Sequence, residues 1–329
     1  MAESTVPPAQ HRSVHAAPQR VDRSFSSGPL AVLPEPDALF VAAADAAGAT
    51  VQPLSALTRA ILWLSPSDAD GLAAVLDTHP QLEWVQLPWA GVDAYRGVIA
   101  AHPGLLWTSA KGAYAQPVAE HALMLTLALL RIVPARLAAR SWKARKGGRS
   151  LFGMTVCIVG AGGIAKVLAE LLSPFGVSLR IVRRNGQPFP GAEFVTTDIR
   201  AGVDGADVVV LAAAHTDGTE RLIDAAVLAA MRPDAILVNV ARGALVDTDA
   251  LVAALSAGRL GGAGVDVTDP EPLPDGHPLW TCPNTIVTPH SADTPEMTEP
   301  LLAERLRHNI SAWLHSGEFI GVVEPSLGY

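Results

Sequence analysis

Cysteine is nearly missing from this chain: Cys157 and Cys282 are the only two in 329 residues. One sits inside an apolar strand-like run and the other in WTCPN, which supplies neither a disulfide framework nor a zinc-ligand set. That scarcity fits a reducing cytoplasm, and no metal site is expected. Basic residues are also few, 24 Lys and Arg against 32 Asp and Glu for a net charge of −8, and they are scattered. The electrostatic footprint of a nucleic-acid binder is therefore lacking. Long apolar runs are absent as well. The most apolar helix candidate, 122–130, is too short to span a bilayer, so no membrane partner is expected. The first 28 residues lack the apolar segment of a secretory signal, and their Pro, Ser, Gln and Arg content reads as a poorly ordered leader. No repeat of solenoid period is visible.

What is present is an alternation of short apolar runs with helical stretches. At 49% hydrophobic residues, a chain of this length can build two cores. From Leu30 the runs LAVLP, TVQPL, AILWLS, EWVQLPW and LLWTSA are separated by helices expected over about 36–47 and 69–76, the pattern of an α/β layer with a mostly parallel sheet. The amphipathic stretch 116–139 reads as one connecting helix. A second series follows, MTVCIV, LRIV, ADVVVLAA, AILVNVA, GAGVDV and TIVTP, and six strands so spaced make a doubly wound nucleotide-binding unit. The helical tail beyond residue 295 can pack back on the first domain and make it discontinuous.

The turn in MTVCIVGAGGIAKVLAELL places Gly160, Gly162 and Ala165 as G-x-G-x-x-A directly after a strand and at the start of a helix. Gly160 permits the tight turn, and Gly162 removes the Cβ that blocks a pyrophosphate from the helix N-terminus. Such a pattern alone is weak, but strand, turn and helix agree here. About twenty residues later LRIVRRNG puts Arg183 and Arg184 where an Asp or Glu often receives the adenosine ribose hydroxyls. A guanidinium there attracts a 2′-phosphate, which favours NADP and leaves NAD possible. The competing reading is a pair of solvated strand-end charges.

Three later stretches hold polar residues just after apolar runs: NVARGALVD with Arg242, DVTDPEPLP with Glu271 and IVTPHSAD with His290. Each is expected at the carboxyl edge of the sheet, where open α/β folds bind ligands. A carbonyl beside a carboxylate needs a cation and a proton donor. Arg242 offers a bidentate fork, and His290 offers the proton with Glu271 holding the ring. Asp269 competes with Glu271, and Arg242 can instead serve as a structural partner of Asp247. Among the ten histidines, only His290 combines a strand end with a matching Arg and Glu. His121, in VAEHAL, reads as a packed or capping residue.

Taken together, VNVARGALVDTDAL, GVDVTDPEPLP with HPLW, VTPHSA, LFGMTVCIVGAGGIA and PVAEHALMLTLALLR resemble the D-isomer-specific 2-hydroxyacid dehydrogenases, especially the glyoxylate and hydroxypyruvate reductase branch. The resemblance runs from about residue 83 to the end. It implies two doubly wound parallel-sheet, Rossmann-like α/β domains. The substrate domain is discontinuous, 29–117 with 295–329, and the dinucleotide-binding domain covers 118–294. It also implies that the backbone of Trp89, Ala90, Gly91 and Val92 receives the substrate carboxylate. Gly163 and Ile164 would flank the pyrophosphate, with Val240, Arg242 and Asp266 near the nicotinamide. A homodimer is implied too. The expected activity is NAD(P)H-dependent reduction of a small 2-oxo acid to the D-2-hydroxy acid, with Arg242, Glu271 and His290 as the catalytic trio. The alternative is a dinucleotide-sensing, corepressor-like protein without turnover. Departures from the family pattern are Ala165 for a glycine, Ala214 and His215 in AAAHTDGT, and Ser109 and Lys111 in TSAKGAYAQP.

Overall fold

A computed structural model of the chain describes residues 10–13, 17–142 and 146–325. It divides into two compact units, Met1–Ala115 with Thr294–Tyr329, and Gln116–Asp293.

The first unit holds β1 (Gln19–Arg20), β2 (Leu30–Leu33), β3 (Ala60–Trp63), β4 (Trp84–Gln86) and β5 (Leu106–Thr108). Strands β2 to β5 form a parallel sheet in sequential order. The run TVQPL, expected as a strand, contributes only Val51, bridged in parallel to Leu30. Pro53 has no amide hydrogen, so the ladder cannot continue. With Val51 at the outer edge, chain order reverses beside β2, which is the doubly wound arrangement. Helix Ala38–Ala46 starts where the Asp37 carboxylate accepts from the amides of Leu39 and Phe40, and Ala69–Thr78 starts where Asp68 accepts from Gly71. Both are side-chain N-caps that satisfy otherwise orphaned donors.

Strand β3 is buried along its whole length, as its unbroken apolar run demands of a sheet covered on both faces. Ile61, Trp63, Val85, Leu87 and Trp107 meet Leu72, Leu76, Tyr95 and Ile99 in the core. Helix Pro295–Ser311 packs on Ala38–Ala46, and a buried polar chain ties it to the sheet. Asn309 Nδ2 donates to Gln86 Oε1 at 2.8 Å, which also accepts from Thr108 Oγ1 at 2.8 Å. Trp84 Nε1 completes the chain by donating to Thr108 Oγ1.

Of the leader expected over 1–28, residues 1–9 and 14–16 lie outside the described residues. Its later part is paired. Gln19 and Arg20 run antiparallel to Phe319 and Glu318, Ser26 N donates to Glu83 Oε2 at 2.8 Å, and the Phe25 ring meets Phe319 edge-on at 5.6 Å.

The second unit holds β6 (Thr155–Val159), β7 (Ser178–Val182), β8 (Phe194–Thr196), β9 (Val208–Leu211), β10 (Ile236–Asn239), β11 (Gly262–Val265) and β12 (Thr285–Val287). All are parallel, in the order β12-β11-β10-β9-β6-β7-β8. Six strands were expected. The seventh, β8, is three residues long with no buried residue, too little apolar sequence to register as a run. Chain order reverses between β6 and β9, which opens a crevice at the strand carboxyl ends. The connecting helix is also two pieces, Ala115–Leu130 and Val133–Ala138, joined through Ile132 at φ 48°. Pro134 sits in the first turn of the second piece, because inside a continuous helix its ring would strike the carbonyl four residues earlier. Among the described residues, no helix is long and apolar enough to cross a membrane, and no cluster of metal-ligating side chains occurs.

Candidate active site

Most residues singled out in the second unit lie within three positions of a parallel strand's end: Gly160 after β6, Arg183 after β7, Val240 and Arg242 after β10, Asp266 after β11 and His290 after β12, with Glu271 farther along the loop that leaves β11. Parallel strands end on one edge, so residues from five strand ends share it.

The glycine turn is crowded on one side and open on the other. Gly160 has φ +115°, and a Cβ there would lie 2.4 Å from Ala212 O, whereas a Cβ on Gly162 would meet nothing within 4 Å. Gly162 precedes helix Gly163–Leu172, which begins with Gly163 and Ile164 and has neither a side-chain cap nor an acidic residue in its first turn. Uncapped amides without competing carboxylates suit an anion, so this turn fits the pyrophosphate of a dinucleotide. At the end of β7, Arg183 Nη1 donates to Gln187 O and Pro188 O, both at 3.2 Å, bracing the turn that follows. Arg184 beside it is exposed.

Glu271 and His290 are in direct contact, with His290 Nδ1 2.6 Å from Glu271 Oε1. Both remain open, at 48% and 41% side-chain exposure, so the far ring nitrogen can face a ligand. Of the two competing carboxylates it is Glu271, not Asp269, that meets the ring. Main-chain constraints hold His290 in place: φ is +50°, a left-handed conformation unusual for a non-glycine residue, and its amide donates to Asp266 O at 2.7 Å.

Asp266 organises this corner. Its carboxylate is buried and accepts from Thr288 Oγ1 at 2.5 Å, Ser291 N at 2.9 Å and Ala292 N at 3.0 Å. Expected as a cofactor contact, its side chain is thus engaged on both sides of His290. His121 Nε2 lies 3.0 Å from Thr288 Oγ1 and 3.4 Å from Asp266 Oδ1. Burial holds its pKa down although Asp266 pulls the other way.

Arg242 is placed by the loop after β10. Asn239 bridges that loop, donating to Arg242 O at 2.9 Å and accepting from Ala241 N at 3.0 Å. The next residue explains how the Arg242 and Glu271 loops can run so close. A Cβ on Gly243 would fall 1.9 Å from Thr268 O, so only glycine lets the two backbones touch. Asp293 lies within electrostatic reach of His290, Asp266 and Arg242. Burial raises its pKa, His290 and Arg242 oppose the rise, and Asp266 adds to it.

Trp89, Ala90, Gly91 and Val92 belong to the first unit, just past β4. Trp89 O accepts from Ala110 N at 3.0 Å, the Trp89 ring stands edge-on to Tyr114 at 5.9 Å, and Tyr114 OH donates to Pro88 O at 2.6 Å. Among the described residues, the amides of these four residues meet no acceptor. A row of such donors can receive a carboxylate.

His121, Thr288, Asp293, Asn239 and Gly243 were not singled out from the sequence as parts of this corner. Thr288 and Asp293 lie within the VTPHSAD motif on either side of His290, which was the available signal. Nothing local marks His121, which lies 167 residues from Thr288.

A doubly wound sheet with a glycine turn at its switch point, and with an imidazole–carboxylate pair beside an arginine on the same edge, defines the class of dinucleotide-dependent oxidoreductases. Comparison with known proteins agrees. The family described as "D-isomer specific 2-hydroxyacid dehydrogenase, NAD binding domain" matches residues 122–292, and the chain belongs to the D-isomer-specific 2-hydroxyacid dehydrogenases. It is 40% identical over 262 residues to an "Uncharacterized protein in proB 3'region" of Corynebacterium melassecola, covering 77% of this chain and 86% of that one. It is 31% identical over 284 residues to a glyoxylate/hydroxypyruvate reductase A of Serratia proteamaculans, covering 82% and 87%. Among solved structures, a D-isomer-specific 2-hydroxyacid dehydrogenase from Xanthobacter autotrophicus Py2 in complex with NADPH and MES superposes with a TM-score of 0.78 at 26% identity, covering 92% of this chain and all of that one. The chain is an NAD(P)-dependent dehydrogenase of 2-hydroxy acids with a nicotinamide dinucleotide as cofactor.

Proposed function

We propose that the protein reduces a small 2-oxo acid, glyoxylate or hydroxypyruvate, to the corresponding D-2-hydroxy acid, with NADPH preferred over NADH, acting as a cytoplasmic homodimer. The observation that carries the reading is the 2.6 Å contact between His290 and Glu271 on the sheet edge that also bears Arg242. When bound, the dinucleotide supplies the hydride that the carbonyl carbon accepts. Glu271 orients the His290 ring, and His290 delivers a proton to the carbonyl oxygen. Arg242 binds the substrate carboxylate and polarises the carbonyl. In the first unit, the amides of Trp89, Ala90, Gly91 and Val92 are the proposed receivers of a substrate carboxylate.

Gly160, Gly162, Gly163 and Ile164 would hold the pyrophosphate, and Val240 and Asp266 the nicotinamide end. Arg183 and Arg184 would meet the adenosine 2′-phosphate. For Arg183 the support is that Nε and Nη2 meet no acceptor among the described residues while Nη1 is braced by the 187–188 carbonyls. The substrate choice is supported by the name of the Serratia relative, and the cofactor choice by the NADPH in the Xanthobacter complex. A dinucleotide sensor without turnover is not favoured, since relatives of this chain include proteins named as reductases and dehydrogenases. The test is oxidation of NADPH and of NADH over a panel of 2-oxo acids. Turnover with glyoxylate or hydroxypyruvate and a higher kcat/KM for NADPH is expected; a higher value with NADH would overturn the cofactor assignment, and no turnover on the panel would overturn the whole reading.

A further inference from the structure

We propose that Arg305 is a positioning residue for substrate binding, holding the 89–92 loop in its carboxylate-receiving shape through the Ser109 to Tyr114 segment. The inference rests on the reading of that loop given above.

Arg305 lies on helix Pro295–Ser311 in the first unit and is completely buried. Nη1 donates to Ser109 O at 2.7 Å and Nη2 to Lys111 O at 2.9 Å, while Nε is buried with no acceptor. Burial pushes its pKa down to about 10, so it stays charged at neutral pH. A charge held on carbonyls in the interior is an expensive way to gain stability, because apolar groups of similar volume often do as well or better. The fold nevertheless makes room for it. Gly321, at φ +75°, passes so close that a Cβ would lie 2.5 Å from Arg305 Nη1 and 2.3 Å from Ser109 O.

The segment that Arg305 grips is the one that shapes the 89–92 loop. Ala110, between the two gripped carbonyls, donates its amide to Trp89 O at 3.0 Å, and Ser109 N donates to Gly321 O at 2.8 Å. Tyr114 at the end of the segment donates its hydroxyl to Pro88 O and sets its ring against Trp89. The guanidinium therefore fixes one side of a short strut whose other side fixes residues 88 and 89. Ser109 and Lys111 depart from the family pattern, yet Arg305 uses only their main-chain oxygens, so either side chain can vary without loss of the grip.

The experiment is steady-state reduction of glyoxylate by the full chain and by Arg305→Met, Arg305→Lys and Tyr114→Phe. Arg305→Met is expected to raise KM for glyoxylate about tenfold, with kcat within about threefold of wild type and KM for NADPH unchanged. Arg305→Lys, with a point charge that cannot fork to two carbonyls, is expected to recover part of the loss. Tyr114→Phe is expected to raise the same KM by a smaller factor. A glyoxylate KM within about twofold of wild type for Arg305→Met, or a fall in kcat at constant KM, would overturn the inference. Should Arg305→Met fail to fold, wild-type KM values for both Arg305→Lys and Tyr114→Phe would overturn it. Wild-type turnover with unmoved variant KM defeats this inference alone, whereas absence of wild-type turnover defeats the functional reading beneath it.

Discussion

The two parallel sheets equip their carboxyl edges in opposite ways. At the edge of the second unit, open side chains stand ready: His290 and Glu271 are nearly half exposed, with Arg242 on the neighbouring strand end. At the edge of the first unit, the groups on offer are backbone amides, and the polar side chains are hidden behind them, with Gln86, Thr108, Asn309 and Arg305 all at or below 1% exposure. Reacting groups have to be reachable. A loop proposed to bind through its main chain needs a fixed shape, which buried hydrogen bonds supply at the cost of desolvation. Changes in the second unit should therefore act on the chemical step, and changes in the first on substrate capture.

The strongest way to break that division is Arg242→Ala. In the proposed mechanism this guanidinium stabilises developing charge, and without it kcat/KM for the 2-oxo acid should fall by about 10²–10³-fold, or about 3–4 kcal/mol, read from initial rates. A loss below about tenfold would remove Arg242 from the chemistry. Gly243→Ala should have an intermediate effect. Its Cβ would sit 1.9 Å from Thr268 O, forcing the Arg242 and Glu271 loops apart. Overpacking of this kind costs about 1–3 kcal/mol, a fall in Tm of several degrees by thermal melting, and kcat should drop while the NADPH Kd holds. Unchanged kcat in a folded variant would mean that the spacing of the two loops is immaterial.

Asp293→Asn should have the smallest effect. The Asp293 pKa lies above its ordinary 3.8 because burial disfavours the charge. A group whose folded pKa is raised supports the fold below its unfolded pKa and loses that support as pH rises through the folded value. Asparagine carries no such loss, so the variant should be the more stable of the two at neutral pH, with the advantage vanishing below about pH 4. Denaturant melts at the two pH values read this directly. A variant less stable than wild type at neutral pH would show that the attraction to His290 and Arg242 outweighs the burial.

Much of this was legible in the sequence because of a single physical regularity. Buried parallel strands are written as apolar runs, so a polar residue just after such a run falls on the carboxyl edge. This is how Arg242, Asp266 and His290 could be placed from sequence. The regularity fails where the run is short. Strand β8 is three half-exposed or exposed residues, and Val51 is a single bridging residue stopped by Pro53. The helix break at Ile132 was written in Pro134 and is a signal that amphipathic periodicity masked. What sequence could not carry were contacts without local signature. Arg305 lies on a helix rich in charged residues, and only the tertiary fold buries it. Likewise the 1.9 Å approach at Gly243 depends on a loop twenty-five residues away, and Asp266 turned out to face inward toward His121 and Thr288.

The proposed proton donor at the second unit's edge is His290, held by Glu271. That role is tested most directly by a single-turnover measurement on NADPH-loaded wild type and His290→Asn mixed with glyoxylate. Oxidation of the bound cofactor should slow by about 10²–10³-fold in the variant while NADPH affinity stays at the wild-type value. Equal oxidation rates, or a variant whose only defect is weakened NADPH binding, would contradict it.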